Sequence, residues 1–197
     1  MNKANFIPLS KDNSFLIINA ERSSSPKIWN IRSILNLFEL ACSPFMSMRI
    51  FENRYFQSRS IVLKELKNIN FDLADIKVSM SHSKRCFIAL ISKKSMNIEI
   101  DHEPASRILS KALEKKIDQI KKPDSLSRIE FISIVETFVK TRNQKWQSFL
   151  INLEIKKIFH LEDTYTTNLG DETIYSKFYS YNEHKICIST DKLEILK

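Results

Sequence analysis

The sequence is nearly devoid of glycine. Gly170 is the sole one in 197 residues, so the glycine-rich loops that cradle phosphates in Walker and dinucleotide sites have no counterpart. Cysteine is scarce as well. Cys42, Cys86 and Cys187 are odd in number, far apart and set in largely apolar surroundings, with no C-x-x-C pair. This argues against a zinc site or a disulfide framework and for a reducing, cytoplasmic setting. No apolar run approaches the roughly 20 residues of a membrane span. The short apolar pieces at the start, broken by Lys11, Asp12 and Asn13, lack the pattern of a signal peptide. No membrane partner is expected.

What remains is the composition of a folded domain: 43% hydrophobic and 27% charged residues, enough chain for one large domain or two small lobes. Lysine and arginine number 31 against 23 acidic residues, a net charge of +8. An anionic partner follows, whether nucleic acid, a phosphorylated small molecule or an acidic protein; a merely solvated basic surface is the plainer alternative. Nucleic acid is not the expected partner, because neither a glycine-bearing RNA-binding signature nor a basic helix interleaved with aromatics is present.

Hydrophobic spacing orders the chain. Phe15–Asn19 reads as a strand. Ile28, Ile31, Leu35, Phe38 and Cys42 recur at helical steps, and a second helix runs from about Met46 to Leu66. A strand ending in Ser81-His82-Ser83, a buried strand Cys86–Ile91, a polar turn over 92–95 and an alternating strand Asn97–Asp101 follow. His102-Glu103-Pro104 reads as a turn. Helices are expected over 105–120, with Ile108, Leu109, Leu113 and Ile117 inward, and over 125–140. Strands are expected over 149–155, 157–161, 174–181 and 185–189, the last two joined by a hairpin at Asn182-Glu183. The order of strands and helices recurs loosely in the two halves. The fold class is therefore α+β, with two similar α/β lobes, 1–103 and 104–197.

Three groups of residues could carry chemistry. The first is Ser81-His82-Ser83. The second is Glu99 and Asp101, which share a strand face because side chains two apart point the same way. The third is Glu136 and Lys140, one helical turn apart. Carboxylates pressed together on one face repel, and a cation between them relieves the repulsion. Each feature alone is more often a strand end or a solvated surface.

Together, Ser79–Arg85 (SMSHSKR), Asn97–Asp101 (NIEID), Phe131–Lys140 (FISIVETFVK) and His184–Ser189 (HKICIS) resemble the 4′-phosphopantetheinyl transferases of the surfactin-synthetase-activating type. The resemblance covers roughly Arg49 to Ser189. It implies a pseudo-twofold arrangement of the two lobes, a monomer, and transfer of the phosphopantetheine arm of coenzyme A to a serine of an acyl or peptidyl carrier protein. Such carriers serve fatty acid, polyketide or nonribosomal peptide synthesis. It also implies that Glu99, Asp101 and Glu136 hold magnesium, that Glu136 is a catalytic base, and that Lys140 meets the phosphates. His82, with Ser81 beside it, and Arg59 would lie toward the 3′-phosphate. The register Asp101/Glu103 keeps the same strand face and stays open. The chain departs from the family in having Glu then Asp where Asp then Glu is usual, and in having Ile132 for tryptophan and Val135 for lysine. A relative that binds coenzyme A or a carrier without transfer is the alternative.

Overall fold

The computed structural model describes residues 5–7, 15–21, 62, 76–82, 86–93, 95–142, 155, 157–169, 171–181 and 183–196. The helices expected over 28–42 and 46–66 lie outside these residues, apart from the helical, buried Val62. So do Arg59, Trp29, Trp146 and, save Ile155, the strand expected over 149–155. The described chain is α+β, and mostly sheet. It divides into two compact units, Met1–Met96 and Asn97–Lys197.

The first unit contains a four-stranded antiparallel sheet of β1 (Asn5–Ile7), β2 (Phe15–Glu21), β3 (Ile76–His82) and β4 (Cys86–Lys93), in the order β1-β2-β4-β3. Strand β4 lies between β2 and β3. Its run from Phe87 to Ile91 is buried throughout, which is why it reads as unbroken apolar sequence rather than as an alternation.

The second unit holds β5 (Ile98–Pro104), α1 (Lys111–Asp118), α2 (Arg128–Thr141), β6 (Lys157–Leu161), β7 (Thr164–Leu169), β8 (Glu172–Tyr181), β9 (His184–Thr190) and a 3-10 turn, Leu193–Ile195. Its sheet is antiparallel in the order β5-β9-β8-β7-β6. Strands β6 to β9 form a meander, and β5 joins it by pairing with β9, Asp101 opposite Cys187 and Glu103 opposite Lys185. The boundary anticipated at 103/104 thus differs from the division at 96/97 by this one strand. The turn expected at His102–Pro104 is instead the end of β5. Pairing with β9 continues to Pro104 opposite His184, and a proline at a strand end leaves few ladder bonds unmade.

Helix α2 begins at a reciprocal cap. The Ser127 hydroxyl accepts from the Glu130 N–H at 3.2 Å, and the Glu130 carboxylate accepts from the Ser127 N–H at 3.0 Å. The helix lies across β5 and β9. Phe131, Ile134, Val135 and Phe138 join Ile158, Ile174 and Cys187 in one apolar core. A chain of buried hydroxyls crosses the same interface: Thr137 Oγ1 is 2.6 Å from Ser189 Oγ, itself 2.7 Å from Ser176 Oγ. Helix α1 starts later than expected, at the cap Ser110. Ile108, expected inward, therefore stands in the irregular stretch before the helix and is 94% exposed. Leu113 and Ile117 do face the core. No helix among the described residues is long and apolar enough to cross a membrane.

Candidate metal centre

The register of β5 against β9 decides what faces α2. Cys187 lies in the core beneath the helix, and its pairing partner Asp101 projects to the same side. Side chains of alternate residues share a face, so Glu99, Asp101 and Glu103 all point toward α2. The helix runs antiparallel to β5. Its first turn reaches Lys185 through Glu130 at 3.4 Å, and its last turn reaches Asp101 through Lys140.

This course sets Glu136 over the middle of the acidic stretch. One carboxylate oxygen each from Asp101, Glu103 and Glu136 lies within 4.8 Å of the others. Asp101 and Glu136 are thus brought together, and the third member is Glu103. Glu99 is buried on the same strand face and outside this trio. Lys140 Nζ donates to the Ile100 carbonyl at 2.7 Å and to Asp101 Oδ1 at 3.3 Å. Arg107, absent from the residues singled out by sequence, contacts Glu103 and lies 3.4 Å from Glu136.

The electrostatics follow from burial. Asp101 is fully buried and Glu103 nearly so. Loss of water, then the neighbouring Asp101 charge, pushes the Glu103 carboxyl up from its ordinary 4.5 to about 8, against the pull of Arg107. The same two causes raise Glu136 to about 7, opposed by Lys140 and Arg107. Burial alone would lower Lys140, but Asp101, Glu136 and Glu99 outweigh it, so its ammonium is held charged more firmly than usual.

The donor set suits a hard cation. Three carboxylates are oxygen ligands of the kind magnesium, manganese and calcium take. Metal–oxygen distances of about 2.0–2.6 Å keep the oxygens of one coordination shell within roughly 4–5 Å of each other, and the three carboxylates already meet that limit. Asp101, Glu103 and Glu136 are the residues that would hold the ion.

The other sequence candidates lie in the first unit or beyond description. Ser81 is buried near the end of β3, and half-buried His82 has its ring 6.2 Å from that of Phe87. Arg59 is not among the described residues. Val135, where the resemblance expects a lysine, is a fully buried core side chain. Cys187 is a free thiol pushed up to about 12, chiefly by burial, and hence no nucleophile. No protein-family model matches the sequence, and a search of curated proteins gives no match.

Proposed function

We propose that the chain transfers the 4′-phosphopantetheine arm of coenzyme A to a serine of an acyl or peptidyl carrier protein, with magnesium, on the two-lobed fold of the 4′-phosphopantetheinyl transferases. One observation carries this reading: two strand carboxylates and one helix carboxylate converge with a lysine one turn further along the helix. The pair Asp101 and Glu103 also keeps the family's usual order of Asp then Glu, which Glu99 and Asp101 do not.

In this reading the serine oxygen bonds to the phosphorus that carries the pantetheine arm. The phosphoanhydride bond breaks, adenosine 3′,5′-bisphosphate leaves, and the serine proton passes to a carboxylate. The resemblance implies that this carboxylate is Glu136, the helix member of the cluster. Lys140, a firmly charged ammonium beside the acids, meets the phosphate oxygens whose charge grows on transfer. Asp101, Glu103 and Glu136 would hold a magnesium ion, which would neutralise further charge on the pyrophosphate. For His82, Ser81 and Arg59 the resemblance implies a role toward the 3′-phosphate.

Burial of Val135 in the core favours a second reading, a relative that binds coenzyme A or a carrier without transfer. Mass spectrometry separates the two. The chain, coenzyme A, Mg2+ and several apo carriers are mixed, and the carriers are weighed. A phosphopantetheine gain that vanishes in Glu136→Ala supports the transferase. Unmodified carriers, with coenzyme A still raising the melting temperature, establish the second reading. With neither effect, both fail.

A further inference from the structure

The acidic cluster already holds a cation of its own. Arg107 follows a turn in which its backbone N–H donates to the Pro104 carbonyl at 2.9 Å. It stands in the irregular stretch between β5 and α1. From there Nη1 contacts Glu103 Oε1 and lies 3.4 Å from Glu136 Oε1. These are two of the three carboxylates of the cluster. Lys140 approaches the third, Asp101, and is tied to the Ile100 carbonyl as well.

A divalent ion on the same carboxylates needs oxygens at roughly 2.0–2.6 Å. An ion that takes Glu103 Oε1 and Glu136 Oε1 would sit where the guanidinium now bridges them, and both cannot use those oxygens. We infer that Arg107 is a resident counter-ion which a divalent cation must displace. This rests on the reading of Asp101, Glu103 and Glu136 as metal ligands. With Glu99 on the same strand face, four ionised carboxylates stand against the two charges of Lys140 and Arg107. Exchange of the single charge of Arg107 for a double one reduces that excess.

The segment is built to allow the exchange. The Arg107 side chain is 31% exposed, and its neighbour Ile108 is almost wholly in solvent. The guanidinium can leave the carboxylates without disturbing the apolar core beneath α2. Once released, it stands beside the bound ion, where an oxyanion of an ion-bound phosphate would meet it.

Titration of the full chain with Mn2+, with free ion followed by electron paramagnetic resonance, tests the exchange. Arg107→Gln is expected to bind Mn2+ roughly three- to tenfold more tightly than wild type, the competing pair being gone. Arg107→Lys, which keeps the charge, is expected to stay within about twofold of wild type. If wild type binds Mn2+ and Arg107→Gln binds it equally or more weakly, the counter-ion role is overturned while the metal site stands. If wild type binds no Mn2+ at millimolar concentration, the metal reading fails and this inference fails with it. Should the glutamine variant not fold, a Mg2+ titration of wild type on the arginine side-chain Nε–Hε resonances decides. The Arg107 signal is expected to move at saturating Mg2+; a signal unmoved while other resonances report binding overturns the exchange.

Discussion

Two arginines in the second unit each bridge a pair of carboxylates, and only one of them sits at a candidate site. Arg128, at the start of α2, reaches back to α1, 2.8 Å from Asp118 and 3.4 Å from Glu114. Arg107 bridges Glu103 and Glu136. The first group lies in water, with Arg128 and Asp118 each about half exposed. There the pairing fastens one helix to the next, and the Asp118 hydrogen bond and charge hold Arg128 protonated still more firmly. The second group adjoins the buried Asp101, and two of its carboxyls rise toward neutrality. An arginine between two acids is therefore not what raises their carboxyls. Loss of water and a third carboxylate are what do so.

Removing the helix carboxylate is expected to separate the two clusters most sharply. Glu136→Ala takes one of three ligands from the buried group, and Mn2+ affinity should fall at least about a hundredfold. Glu114→Ala takes an acid from the surface group and should leave that affinity unchanged. The same Mn2+ titration reads both variants, with circular dichroism to confirm folding. Equal affinities in Glu136→Ala and wild type would mean that the converging carboxylates hold no ion.

The pH dependence is the next largest effect. Glu103 and Glu136 are raised in the folded chain, so between about pH 4.5 and 8 the folded state binds protons that the unfolded state has released. Stability of the metal-free protein is then fullest below about pH 4.5 with respect to these groups. It is lost as pH climbs through about 7 and 8. A divalent ion needs the ionised carboxylates, so it expels those protons. The rise in melting temperature at fixed Mg2+ should therefore grow from pH 6 to pH 8. Calorimetry at pH 7 in two buffers of different ionisation enthalpy should find about one to two protons released per ion. Binding without proton release would show that the carboxyls are not raised.

Much of this arrangement is legible in the residues, and what is not has a geometric cause. Period-two and period-3.6 spacing reveal β2, β4, β8, β9 and α2, and place Glu136 and Lys140 on one helix face. Strand β7 escapes notice because its inward positions include Thr167 rather than an aliphatic residue. Its turn from β6 is Glu162-Asp163, with Glu162 at φ 56°, and lacks the usual asparagine–glycine signal. The choice between Glu99 and Glu103 is invisible to periodicity, since both share a face with Asp101. It is made by where α2 crosses β5, which depends on the packing of Phe131, Val135 and Phe138. Arg107 is missed because the helix expected over 105–120 covers it. Its position matters only once β5 is seen to run on to Pro104 and α1 to start at Ser110.

The smallest effect is expected at the surface arginine. Arg128→Ala breaks the pair with Asp118 and the longer one with Glu114, but both acids remain hydrated. An exposed pair gains little over separately solvated ions, because holding two long side chains in register offsets most of the attraction. The melting temperature should fall by no more than about 2 °C, less still in half-molar salt, which screens what attraction there is. Mn2+ affinity should not change, since no ligand of the cluster touches Arg128. A large loss of stability or of metal affinity in this variant would mean that the α1–α2 junction positions Glu136 from a distance. Burial would then no longer suffice to explain why one arginine–carboxylate group is a candidate site and the other a helix clasp.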